Sequence, residues 1–205
     1  MKNLVHFMSP LDSVYVQLTR ELITMGGWED LIVNQNMDFR ILDYSGTAKE
    51  DKEITALLNR VFVQDGFTEK SYADKFFMSS ELRKRGDIKL AKSNSGHLLG
   101  MVIFVPPTST VFHIANNDEA EIQLLGVYPE WREHGVASRL IDFCEKHAVS
   151  CCFSKIVLST QPTMKAAHRL YEKHGYRRNP KRDWTRTEDK NFFVYEKVLR
   201  NSVKQ

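Results

Sequence analysis

Hydrophobic and polar positions alternate with different periods along the chain, and the periods divide it into elements. Around its middle, Ile122 and Leu124 alternate with Glu121 and Gln123. A period of two predicts a strand, here over Glu121–Val127. Pro129 stops it, since proline offers no ladder donor. After a turn, Val136, Leu140, Phe143, Cys144 and His147 recur at helical spacing. Upstream, Phe39 and Ile41 mark a first strand, Asp38–Asp43. A stripe of Ile54, Leu57, Leu58, Val61 and Phe62 marks a helix over Thr47–Phe62. A second helix is expected from Thr68 to Lys84, with Thr68 as its cap and Tyr72, Phe76 and Phe77 on its apolar face. Strands follow at Ile88–Lys92 and His97–Val105, joined by the turn residues Ser93-Asn94-Ser95-Gly96. Lys155–Ser159 reads as a buried strand, Thr163–Lys173 as a helix and Asn191–Leu199 as a last strand. Helices interleaved with strands imply a mixed α/β sheet.

The first 37 residues read as a helical extension of a domain over residues 38–200. Leu11, Val14, Leu18, Leu22 and Met25 form a helical stripe, and Gly26-Gly27 stops it. Trp28, Leu31, Ile32 and Val33 pack against the main body or against another subunit, the second option giving a homodimer.

Composition narrows the class. Of the 205 residues, 42% are apolar and 27% charged, with a formal net charge of +3. That suits a soluble globular chain and is too mild to argue for nucleic acid. No run of about 18 apolar residues marks a membrane span, and the N-terminus lacks the apolar core of a secretory signal. Cys144, Cys151 and Cys152 are clustered and odd in number. They read as reduced thiols in a cytoplasmic protein rather than a disulfide framework. The histidines share no metal spacing, so no metal is expected.

The chemistry starts at the turn before the central helix. Gly135, Ala137 and Ser138 open that helix with small side chains. A helix N-terminus presents unsatisfied N–H groups and a positive dipole end, which suits a phosphate. The turn is Arg132-Glu133-His134-Gly135-Val136-Ala137. A second cluster is Ala166-Ala167-His168-Arg169-Leu170-Tyr171-Glu172-Lys173-His174-Gly175-Tyr176. In these two patterns the chain resembles the GCN5-related N-acetyltransferases. Their cofactor signature is Gln or Arg, two residues, Gly, one residue, then Gly or Ala. The likeness covers roughly Asp38–Leu199, and the tail Arg182-Asp183-Trp184 is similar to one branch with small-molecule-type sequences.

The resemblance implies the family's acyl-CoA fold and an acetyl-CoA-dependent N-acetyltransferase. Its cosubstrate, acetyl-CoA, binds where two parallel strands part, here Glu121–Val127 and Lys155–Ser159. Gly126 stands where the family has a bulge, so that Leu125, Gly126 and Val127 present backbone groups to the pantetheine arm. Arg132, Glu133, His134, Gly135, Val136, Ala137 and Ser138 would hold the pyrophosphate, and Met164 and Ala167 complete the cofactor set. Met164 stands where the family commonly has asparagine. By the same likeness Glu121 is the base, with Glu119 as fallback, and Tyr171 the acid at the sulfur. The expected acceptor is a small-molecule amine, in a pocket shaped by Thr47–Gly86 and Thr108–Asp118. The basic run from Lys165 to Arg186 is a solvated face, or else meets the cofactor's 3′-phosphate or an acidic substrate. A non-catalytic acyl-CoA-binding module on the same fold is the alternative function.

Overall fold

A computed structural model describes residues 38–111, 114–186 and 190–199. The expected N-terminal helix lies outside the described residues. Eight strands, β1 (Phe39–Asp43), β2 (Asp87–Ser93), β3 (Leu98–Val105), β4 (Glu119–Val127), β5 (Lys155–Thr160), β6 (Arg177–Arg178), β7 (Trp184–Thr185) and β8 (Asn191–Val198), form a mixed sheet. Its order is β1-β2-β3-β4-β5-β8-β6, with β7 also on β8. Neighbours are antiparallel except β4 and β5, which run parallel.

The first helix, α1 (Ala48–Leu58), starts where Thr47 caps the Glu50 N–H. The Glu50 carboxylate turns back to the Ser45 N–H (2.7 Å) and pairs with Lys92 (2.8 Å). The helix runs on into a π-helical turn, Asn59–Val63. That extra residue per turn still carries Val61 into the core beside Ile54, Leu57 and Leu58.

The single helix expected over Thr68–Lys84 is two short ones, α2 (Lys70–Phe76) and α3 (Ser79–Arg83). Thr68 does not cap α2, whose cap position is Glu69. Met78 between them is extended, with φ −63° and ψ 136°. This break lets both Phe77 and Leu82 enter the core, which one straight helix would not allow.

The longest helix, α4 (Val136–Ser150), buries Val136, Leu140, Ile141, Cys144 and Ala148. It covers the sheet face opposite α1. Met101 joins the α1 core, while a Cβ on its neighbour Gly100 would stand 3.2 Å from Val136 and 2.8 Å from the Gly126 carbonyl oxygen. The last helix, α5 (Lys165–Lys173), follows β5. Beyond it, the segment read only as polar and basic contains β6 and β7, each two residues long.

Candidate active site

The parallel pairing of β4 and β5 stops at Ile122–Leu158, although β4 continues to Val127. Past that point the β5-facing edge of β4 has no strand partner among the described residues. On the other edge, Met101 pairs with Gly126 but Ile103 pairs with Gln123, so β4 carries one extra residue. The bulge is therefore at Leu124–Leu125 rather than at Gly126. Leu124 takes the left-handed conformation, φ +49°, that a glycine would adopt more easily. A cavity of about 620 Å³ opens where the strands part.

Glu121, Leu125, Met164, Ala167 and Tyr171 share the wall of this cavity. Glu121 is 2% exposed. Its carboxylate accepts from the Ile114 N–H (2.6 Å) and from Gln123 Nε2 (2.9 Å). Burial pushes its pKa up to about 7, against those hydrogen bonds and the nearby Arg85 charge. Glu119 has a different setting. Burial would raise it, but Arg182 grips it through Nη1 (2.9 Å) and Nη2 (2.8 Å), and the net result is a pKa below the ordinary value. Glu119 is not part of the cavity wall.

Tyr171 is nearly buried between Tyr176 and Tyr195, with ring centroids 6.0 and 6.1 Å away. Burial raises its pKa, which keeps the phenol protonated. Met164 precedes the first turn of α5, and its sulfur accepts from the Thr160 hydroxyl at 3.4 Å.

The turn before α4 lies outside the cavity wall. Glu133 (φ +66°) and Gly135 (φ +79°) are both left-handed, which folds the backbone into a concave loop. Gly135 is the N-cap and supplies no side chain to the first helical N–H groups. Those donors are thus left for an anion, which fits the pyrophosphate expected here. Arg132 ties the loop down, donating to the Val127 carbonyl (3.4 Å) and pairing with Asp65 (2.8 Å).

Other residues of the wall lie outside the turn before α4 and the Tyr171 motif. Arg85 follows α3, and its Nη1 donates to Gln123 Oε1 at 2.9 Å. Trp184 stacks on Phe192 with centroids 4.3 Å apart and planes within 7°. Arg186 lies over Tyr72, Phe76, Trp184 and Phe192 at 5.0–5.6 Å. The expected Thr47–Gly86 segment does contribute Phe62, Phe67, Tyr72 and Phe76, but the second aromatic wall comes from Trp184 and Phe192. The aromatic stripe of α2 and the tryptophan of the Arg-Asp-Trp tail were the signals in the sequence. The Arg-Asp-Trp tail proves architectural: Arg182 holds Glu119, Asp183 accepts from the Val194 N–H (3.0 Å), and Trp184 builds the wall.

Solved structures share this fold. A GNAT-family acetyltransferase from Staphylococcus aureus Mu50 superposes with a TM-score of 0.62 at 16% identity, covering 80% of this chain and all (100%) of that one. An acetyltransferase from Streptococcus agalactiae 2603 gives 0.63 at 19% identity, covering 78% and 98%. The ribosomal-protein-S18-alanine N-acetyltransferase of Escherichia coli gives 0.55 at 15%, covering 79% and 94%. At such identities the likeness is one of fold. No curated protein matches the chain. The family model described as Acetyltransferase (GNAT) family matches residues 48–176, more than half of the sequence and both the turn before α4 and the Tyr171 motif. With strands parted beside a bulge and an anion-ready turn in the matched span, the chain belongs to the GNAT acetyltransferase family.

Proposed function

We propose that the protein moves an acetyl group from acetyl-CoA to the primary amine of a small molecule, by direct attack within a ternary complex. One observation carries this reading: Glu121 and Tyr171 line the same cavity, at the point where β4 and β5 part. The pantetheine arm pairs with the free edge of β4 at the bulge, Leu125–Val127, as an added strand would. The pyrophosphate rests on the N–H groups of residues 134–138.

The amine arrives largely protonated, since its ordinary pKa is around 10. Glu121, poised near neutrality, removes that proton directly or through a water. The neutral nitrogen attacks the thioester carbonyl carbon. A C–N bond forms, the C–S bond breaks, and backbone donors of the bulge steady the carbonyl oxygen. The departing thiolate takes the Tyr171 hydroxyl proton, the acylated nitrogen sheds its second proton, which restores the tyrosinate through solvent, and the proton held by Glu121 is released to solvent. Holding the amine against the carbonyl is itself a large part of the rate. Glu119, bound in its ion pair with Arg182, is unsuited to the base role. Cytoplasmic residence belongs to this reading, supported by three free cysteines.

A thiol-release assay with acetyl-CoA across a panel of amines tests it, with the protein's own thiols subtracted. Release with at least one amine is expected. Tight acetyl-CoA binding with no release from any amine would replace the transferase by a non-catalytic binding module.

A further inference from the structure

One corner of the cavity holds two guanidiniums, neither of them within ion-pair distance of a carboxylate among the described residues. Arg85 is 8% exposed, its Nε has no hydrogen-bond partner among the described residues, and its Nη1 donates to the neutral Gln123. Arg186 is exposed and rests on aromatic faces. Among the described residues, neither has a carboxylate in ion-pair range. Both sit over the same ring, Phe76, with Arg85 at 3.9 Å and Arg186 at 5.6 Å. Burial lowers the Arg85 pKa most, and Arg186 lowers it further, while Tyr72 and Glu121 act the other way. Two like charges on one ring are costly unless an anion comes between them. A planar fork of donors suits a carboxylate.

We propose that this Arg85–Arg186 corner receives the carboxylate of the acceptor, which is an amino carboxylic acid with an aromatic or apolar body. The inference rests on the acetyl-transfer reading for the position of the amine. Arg85 and Glu121 are bridged by a single side-chain amide, with 2.9 Å hydrogen bonds on both sides of Gln123. An amine at Glu121 and an anion at Arg85 are thus a short distance apart, as in an α-amino acid. The body of the molecule lies against Tyr72, Phe76 and Trp184.

The test has a binding arm and a transfer arm, both on the full chain. Calorimetry compares N-acetylphenylalanine with N-acetylphenethylamine, which lacks only the carboxylate. The acid should bind at least about tenfold more tightly, the scale of a charge-assisted hydrogen bond, and Arg186→Gln should remove that preference. Arg186 is exposed, so an unchanged melting temperature will show that the variant is folded; Arg186→Lys should restore part of the preference. Equal binding of the two compounds overturns the proposal, as does a preference that survives Arg186→Gln unchanged. The transfer arm compares phenylalanine with phenethylamine by kcat/KM. Acid-selective binding without transfer to any amine would sustain the anion corner and sink the transferase reading. Equally efficient transfer to both amines would sustain the transferase and overturn the proposal.

Discussion

Glu119 and Glu121 stand two residues apart on β4, each no more than 3% exposed, and their pKa values move in opposite directions. Arg182 neutralises the first, while the second faces the cavity with neutral donors. Two carboxylates separated in this way are the pattern by which one site holds a structural anion and a proton acceptor. The activity should therefore rise with a single ionisation near pH 7, the value to which burial pushes Glu121. In Glu121→Gln that limb of the kcat/KM profile should vanish. A profile unchanged by the substitution would remove Glu121 from the base role.

The same shift predicts a stability effect. The folded chain keeps a proton on Glu121 that the unfolded chain, with its carboxyl near the ordinary value of 4.5, releases. The unfolded state then binds fewer protons, so stability falls as pH rises from 4.5 to about 7. The full loss is about 3 kcal/mol. Denaturant titrations at several pH values should show this fall in the wild type and its absence in Glu121→Gln.

Arg182→Gln leaves Glu119 buried, with Lys155, 3.6 Å away, as its remaining cation among the described residues and the Asn116 N–H (3.0 Å) as its hydrogen-bond donor. It should cost about 3 kcal/mol, the low end for breaking a buried pair because Lys155 remains. Glu119 has a depressed pKa in the fold, so its ionic contribution is present above the ordinary carboxylate range and lost as pH falls. The gap between variant and wild type should accordingly shrink in acid. A gap independent of pH would show that Arg182 acts by packing alone.

Tyr171→Phe keeps the ring between Tyr176 and Tyr195 and deletes only the hydroxyl. Turnover should fall by roughly 10²-fold or more, the range for general acid catalysis, with acetyl-CoA affinity little changed. An unaltered kcat would end the acid assignment.

Gly135→Asp places a carboxylate at the N-cap of α4, where it can bond the helical N–H groups itself. A Cβ there meets nothing within 4 Å, but the φ of +79° strains any side chain. Acetyl-CoA binding should disappear, while stability falls by only about 1 kcal/mol. Calorimetry and thermal melting separate the two effects, and retained affinity would remove the pyrophosphate from this turn.

The parts of the site legible in the sequence are those written locally. The turn before α4 depends on one glycine and a following helical stripe, so Arg132–Ser138 could be read directly. The bulge could not. Leu124 is no turn former, and its left-handed backbone is imposed by β3 pairing on both sides of it. Residue type likewise concealed the break in the 68–84 helix, because what decides it is the burial of Phe77 and Leu82 against a distant sheet. Strands β6 and β7 are too short to show any period. The aromatic corner joins Tyr72 and Phe76 to Trp184 and Phe192, more than 100 positions later in the numbering. Only tertiary structure brings those together.

The wall built by Trp184 and Phe192 belongs to a different stretch of chain from the bulge and turn proposed to hold the donor. On the proposed reading, donor recognition is written in main-chain shape, which tolerates many side chains, and acceptor recognition in side chains on two peripheral segments. Substitutions in those segments would then retarget the enzyme to a new amine while the transfer chemistry is inherited intact.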